Sequence, residues 1–548
     1  MLNGVVPVPP PVNEPVLSYA PGSPERASLR RRLDGMYGER IEIPLRIGGR
    51  DVRSGDTVDA VCPHEHRHVL ATFHQAGPAE VEQAAAAARE AWHDWSEMPW
   101  EARAAVFLKA AELLAGPWRD TVNAATMLNQ SKTCYQAEID AACELIDFWR
   151  FNAAYMRQIY GEQPLSPRGT WNYVEYRALE GFVFAVTPFN FTSIGGNLPT
   201  APALMGNVAL WKPASTSIVS NYYVLRVLEE AGLPPGVVNF VPGSGGKVGD
   251  PVFAHGDFAG LHFTGSTPTF QGMWRTIASN LPKYRSYPRI VGETGGKDFV
   301  FAHPSADAAA LSTALVRGAF EYQGQKCSAA SRAYVPRSLW GEVRDRMAAD
   351  LGAIKVGDPR DFTNFMGAVI DAKSFASISG YIEHARQSGD AEVVLGGGAD
   401  DRTGWFIEPT VVLTINPRHQ LMTEEIFGPV LTIYVYDDGA VEETLGLCDT
   451  ATPYALTGAV FAQDRAALVH MLKRLRHAAG NFYLNDKPTG AVVGQQPFGG
   501  GRASGTNDKA GSPMNLLRWV SQRAIKETFV PPTDFRYPFM EDEATGRP

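Results

Sequence analysis

Residues Glu321 to Arg332 read EYQGQKCSAASR and set Cys327 directly after a lysine, among small polar neighbours. Buried structural cysteines keep apolar company, whereas reactive ones sit in electropositive, partly open surroundings that favour the thiolate. Two other stretches carry complementary chemistry. TPFNF (Thr187 to Phe191) ends an apolar run with an amide at Asn190, and GETGGK (Gly292 to Lys297) ends another with Glu293 beside two glycines. A thiol nucleophile, an amide donor and a carboxylate base are what acyl chemistry at an aldehyde carbon requires. Taken singly, each has a plain structural role: Asn190 as a helix cap, Glu293 as a strand-end surface charge, Cys327 as a small core residue.

Other stretches look chemical and lead elsewhere. In PGSGGKVGD, Val248 replaces the third glycine of a dinucleotide fingerprint after Gly243 and Gly245. The same Val248 stands where a phosphate loop places Ser or Thr after Gly246-Lys247, so an ordinary turn is expected. CPHEHRH puts Cys62, His64, His66 and His68 at alternate positions, one face of a strand if the run is extended. Without a second ligand group, an exposed edge is expected there and no metal. Asn190 also fits the glycosylation pattern Asn-Phe-Thr, but no export signal accompanies it.

The residues of interest need elements to position them. From Gly181 the chain alternates short apolar strands with amphipathic helices: GFVFAVTPF, NVALWKPA, SIVSNYYVLRVLEEAG, GVVNFVPG and GLHFTGS. That rhythm indicates a mostly parallel sheet covered on both faces. In such sheets ligands bind beyond the carboxyl ends of strands, which singles out Thr187 to Asn190, Lys212, Ser215 and Thr264 to Ser266. A second α/β texture runs from about Val300 to Phe498 and includes TGAVFAQ. Before the first sheet, PAEVEQAAAAAREAWHDW, EARAAVFLKAAELLAG and QAEIDAACELIDFWRFNAAYM form a helical layer. The proline-rich first ~35 residues are expected as an extended arm, and the chain returns to an arm after FGGGRASG.

A chain of 548 residues exceeds the ~250–300 at which a single core stops growing, so several domains are expected. Its usage, 45% apolar and 20% charged, is that of an ordinary globular protein. The net charge of −9 argues against a nucleic-acid surface and for a small-molecule substrate. Five scattered cysteines do not form a disulfide framework and fit a reducing compartment. There is no basic stretch leading into an apolar core at the N-terminus and no apolar run near the ~18 residues of a membrane span. A cytoplasmic protein is therefore expected.

Seven short stretches occur in a telling order across about residues 40 to 530: TPFNF, WKPA, FTGS, GETGGK, GQKC, EEIFGP and QQPFGG. In that order and spacing they resemble the aldehyde dehydrogenase superfamily. The resemblance implies an α/β fold with a Rossmann-type parallel-sheet NAD domain, residues 36–163 and 181–293. It further implies an α/β catalytic domain at 294–500, an N-terminal arm at 1–35, and a small oligomerisation arm from 164–180 and 501–548.

The superfamily's chemistry carries over residue by residue. Cys327 would attack the aldehyde, with the oxyanion held by the Asn190 amide and the Cys327 backbone N–H. Glu293 would activate the water that releases the acid, which disfavours a coenzyme-A-acylating outcome. NAD is the implied cofactor, contacted by Thr187, Lys212, Ser215, Gly265, Ser266, Glu425 and Phe427. Ser215 replaces the glutamate common in NAD-preferring members and would not repel a 2′-phosphate, so NADP is expected as a weaker substitute.

Four longer stretches, AEIDAACELIDFWRFN, FNFTSIGGNLPTAPALMGN, GQKCSAASRAYVP and NDKPTGAVVGQQPFGG, look like one branch in particular. That branch oxidises L-glutamate γ-semialdehyde, from Δ1-pyrroline-5-carboxylate, to L-glutamate in the second step of proline degradation. The implied substrate contacts are the backbone N–H groups of Gly490 and Ala491, the Ser328 hydroxyl, Phe191 and Phe498 along the stem, Glu144, and Lys326 as positive character near the thiol. A plain hairpin turn is the alternative for Gly490. Another semialdehyde dehydrogenase, or a non-catalytic relative, are the rival readings of the whole chain. The expected partners are copies of the same chain, as a dimer or higher, and a transiently bound separate proline dehydrogenase.

Overall fold

The computed structural model describes Gly4 and residues 6–540. The outermost parts of two expected arms, residues 1–3 and 5 and residues 541–548, lie outside the described residues. Two seven-stranded sheets organise the chain. In the first, strands run in the order Arg289–Glu293, Phe258–Thr264, Phe182–Val186, Val208–Lys212, Val238–Phe240, Leu45–Ile47 and Arg50–Val52. The first five are parallel and the last two antiparallel. Phe182–Val186 is the earliest of the five in sequence, and its followers step away in both directions. Strand order reverses there, so a crevice opens at the carboxyl ends beside Thr187.

These strands read as continuous apolar runs because helices cover both faces. Phe182–Val186 is buried at every position. The second sheet runs Ala391–Leu395, Thr410–Thr414, Val430–Tyr436, Ala330–Pro336, Asp298–Ala302, Thr457–Phe461 and Asn481–Leu484, parallel but for its first strand. A separate two-stranded antiparallel ribbon pairs Thr170–Arg177 with Ser521–Thr528.

Three local expectations need correction. The CPHEHRH run is broken by a turn at Pro63-His64, so Cys62 pairs with Glu65 across a hairpin and the side chains diverge. Cys62 and His64 are buried; His64 meets Ser131, His66 meets the Asp401 carbonyl, and His68 stacks on Tyr37. After Gly243 the chain starts a helix, Gly245–Ala254, instead of simply turning, with Ser244 at its N-cap. At the N-terminus only the first part of the arm is extended; Pro24–Tyr37 is a helix capped by Ser23, with proline at its first position and Leu29, Leu33 and Met36 on its buried face.

Candidate active site

Asn190 follows the central strand of the first sheet and is buried. Its Nδ2 donates to the Gln325 carbonyl at 3.1 Å, which ties the strand end to the segment that carries the thiol. The helix beginning at Thr192 has no side-chain cap of its own. Asp140, from the helical layer, supplies one: its two oxygens accept from the backbone N–H groups of Thr192 and Ser193 at 3.0 and 2.9 Å. Lys132 pairs with Asp140 at 2.6 Å, and its ammonium also lies 4.3 Å from the Phe191 ring centroid and 4.4 Å from that of Tyr322. One buried cation thus braces both the amide segment and the thiol segment.

Cys327 lies between the helix Ala308–Phe320 and the strand Ala330–Pro336. The turn before it has Tyr322, Gln323 and Gly324 all at positive φ, 51°, 56° and 64°. Two of these are not glycine, a backbone strain that persists only where surroundings impose it. Glutamines impose it here. Gln323 donates to the Ser131 and Ala368 carbonyls and accepts from the Gly367 N–H, while Gln325 accepts from the Ile370 N–H. Burial first, then the charges of Asp298, Glu425 and Glu293, push the Cys327 thiol well above its ordinary pKa. Lys326 pairs with Glu321 at 3.2 Å.

Glu293 ends the edge strand of the first sheet. Its Oε2 accepts from the Gly500 N–H at 3.0 Å, whereas its buried Oε1 has no hydrogen-bond partner among the described residues. Burial pushes its carboxyl well above the usual range, opposed by the Gly500 N–H and Lys509 and reinforced by Asp508. A buried, half-satisfied carboxylate whose pKa is raised is suited to take a proton and release it again.

The residues expected at a dinucleotide line the same carboxyl edge. Lys212 is the last residue of its strand, and burial alone lowers its amine to about 8. It has no ion pair or hydrogen bond among the described residues, which leaves all three donors for hydroxyls. Thr187 receives a hydrogen bond from Trp211 at 3.2 Å, and Ser215 opens a short helical turn beyond Lys212. Gly265 donates to the Glu293 carbonyl, and Ser266 bonds Thr269 at 2.7 Å instead of capping its helix. The first N–H groups of that helix, Thr267–Asn280, are therefore left for an anion. Glu425 accepts from the Gly296 N–H with one oxygen only and is raised to about 7 by burial. Phe427, at φ 57°, packs edge-on against Phe189. An unpaired amine, free helix N–H groups and a half-used carboxylate along one crevice fit the ribose hydroxyls and pyrophosphate of NAD.

At the other end, Glu144 accepts from Ser193 at 2.7 Å and is raised to about 8 by burial and Asp140. Ser328 bonds Thr489 at 2.8 Å, which brings Gly490 and Ala491 next to the thiol segment. Phe498 pairs through its backbone with Ala510. Thr489, Gln323, Gln325 and the Lys132–Asp140 pair escaped the sequence reading. Two glutamines flanking a glycine before a candidate nucleophile were a usable signal, but their partners lie 44 to 192 residues away.

The fold is that of a two-sheet α/β enzyme with a crevice at the carboxyl ends of its first sheet, and the aldehyde dehydrogenase family profile matches residues 51–525. The chain belongs to that family. It is 54% identical over 538 residues to "Delta-1-pyrroline-5-carboxylate dehydrogenase, mitochondrial" of Dictyostelium discoideum, covering 98% of this chain and 96% of the relative. The Bos taurus protein of the same description is 53% identical over 530 residues, covering 96% and 94%. Among solved structures, the Δ-pyrroline-5-carboxylate dehydrogenase of Mycobacterium tuberculosis bound with NAD superposes with a TM-score of 0.96 at 54% identity, covering 99% of this chain and 100% of that one.

The expectation of a cytoplasmic protein does not stand, since these relatives from Dictyostelium and cattle are described as mitochondrial. Few cysteines speak only to redox conditions and cannot separate two reducing compartments. Among the described residues, no helix is long and apolar enough to cross a membrane.

Proposed function

We propose that this enzyme oxidises L-glutamate γ-semialdehyde, the open form of Δ1-pyrroline-5-carboxylate, to L-glutamate with NAD. The observation that supports this reading is that the Asn190 amide bonds the Gln325 carbonyl two residues before Cys327, while the charge of the buried Glu293 bears on the same thiol.

The chemistry follows from the residues. Burial holds Cys327 toward its thiol form, so its proton must pass to solvent water before sulfur can attack the aldehyde carbon, and the thiolate takes back the proton that Glu293 gains later in the cycle. Carbon–sulfur bond formation turns the carbonyl oxygen into an oxyanion, received by the Asn190 amide and the Cys327 N–H. Such donors are worth about 3–4 kcal/mol each in a water-poor site. NAD, held by the residues along the crevice, would supply the hydride acceptor there, and loss of the hydride from that carbon leaves a thioester on Cys327. Glu293 then takes a proton from water, the hydroxide adds to the thioester, and the carbon–sulfur bond breaks to release the acid. The Cys327 thiolate recovers its proton. The N–H groups of Gly490 and Ala491, with Ser328, hold the α-carboxylate; Phe191 and Phe498 pack the stem; Glu144 faces the ammonium end. Ser215 allows slow turnover with NADP.

Within this reading the first sheet carries the cofactor and the second the thiol. Copies of the chain associate through the ribbon Thr170–Arg177 and Ser521–Thr528, supported by its exposed Trp171 and the exposed Phe529, Phe535 and Phe539 that follow. The substrate is supplied by a proline-oxidising enzyme, with which contact is transient.

The test is NADH formation with Δ1-pyrroline-5-carboxylate, succinic semialdehyde and propanal, with Cys327→Ala as control. A strong preference for the pyrroline substrate, abolished in the variant, is expected. Equal rates on all three would overturn the substrate assignment, and a signal independent of Cys327 would overturn the mechanism.

A further inference from the structure

The N-terminal arm reaches the substrate end of the site through a single side chain. Asn13 Nδ2 donates to Asp147 Oδ2 at 2.7 Å and to the Val493 carbonyl at 2.8 Å, and its Oδ1 accepts from Gln495 Nε2 at 3.0 Å. Both amide hydrogens and the oxygen are used, and the reversed orientation would oppose donor to donor and acceptor to acceptor. The amide therefore has one orientation.

The stretch it touches needs an external hold. Residues 490–496 contain two glycines at positive φ, Gly490 at 96° and Gly494 at 82°, and their internal bonds close on Val492 alone. Among the described residues, every hydrogen bond that reaches 490–496 from outside comes from Asn13. At its far side Asn13 grips Asp147, one turn beyond Glu144, whose Oδ1 also accepts the Glu14 N–H at 2.7 Å. One amide joins the loop that follows Gly490 and Ala491 to the helix beyond Glu144.

We propose that Asn13 is the positioning residue for the substrate anchor at Gly490 and Ala491, clamping that loop to the helix beyond Glu144 before substrate arrives. The inference rests on the reading that those two N–H groups hold the α-carboxylate. A loop hinged on glycine carries high conformational entropy, and ordering it in advance removes that cost from binding. The arm does not depend on Asn13 for its own attachment. Glu14 pairs with Arg119 and Arg150, Tyr19 is buried with its hydroxyl on Glu138, and the Leu17 N–H also reaches Glu138.

The experiment compares full-length wild type with Asn13→Ala and Asn13→Asp, using kinetics and amide hydrogen exchange. In Asn13→Ala, KM for the pyrroline substrate rises roughly tenfold, an ordering cost moved into binding. Its kcat, its KM for NAD and its kcat/KM for propanal stay at wild-type values, and exchange accelerates within 490–496. Asn13→Asp keeps the shape but sets a carboxylate against Asp147 and the Val493 carbonyl, so it is at least as impaired. A space-filling role would leave the aspartate variant normal, which would overturn the proposal. So would unchanged KM and exchange in Asn13→Ala, or an equal loss with propanal. Wild type with no preference for the pyrroline substrate sinks the substrate reading and the anchor together; a preference undiminished from wild type in Asn13→Ala sinks the role of Asn13 alone.

Discussion

At the scale of single residues, burial biases the site's reactive groups toward their protonated forms. Cys327 and the proposed base Glu293 are both pushed above their ordinary pKa values, chiefly by burial. Each acts in its deprotonated form, so raising the pH through those elevated values populates the active forms, and turnover rises toward alkaline pH. Glu293→Gln tests the division of labour. The first-turnover burst of NADH should persist while steady-state turnover falls by about 100- to 10,000-fold, the usual range for a lost general base. Loss of the burst as well would assign Glu293 to the first half-reaction. Cys327, Asn190 and Glu293 were legible in the sequence because residue type carries their chemistry. The unpaired state of Glu293 Oε1 was not, since it depends on Gly500, more than 200 residues away.

At the scale of elements, the strained turn before Cys327 is held by contacts that its own sequence does not contain. Gln323 bonds three backbone groups, on Ser131, Ala368 and Gly367, and is almost wholly buried. Gln323→Ala leaves these groups unpaired, at about 1–3 kcal/mol for a buried donor or acceptor. The expected outcome is a Tm lower by several degrees, with slower alkylation of Cys327 by iodoacetamide as the turn relaxes. Unchanged alkylation would show that the turn holds its shape without the glutamine. The alternation of strands and helices was readable because hydrophobic periodicity is local. The π-helical stretch Glu138–Glu144, which carries Asp140 and Glu144, was not, because nothing in its periodicity separates it from the α-helix on either side.

At the scale of the whole molecule, the ribbon Thr170–Arg177 with Ser521–Thr528 stands apart from both sheets. Two-stranded ribbons are marginal alone, and this one exposes Trp171 at 55% and leads into Phe535 and Phe539 at 83% and 84%. Removal of residues 521–548 should lower the solution mass measured by light scattering to that of one chain. Wild type should be a whole multiple of it. A monomeric wild type would remove the ribbon from the assembly and leave its exposed aromatics to another partner.

The sequence by itself determined the fold class and the family and singled out the candidate reacting groups, because order of motifs, apolar periodicity and residue type are properties of the chain read along its length. It did not determine which charges bear on Cys327, which way Lys326 points, or that Asn13 holds a loop 480 residues further on. Those depend on burial and on hydrogen bonds between distant segments, and only packing in three dimensions brings such groups within reach.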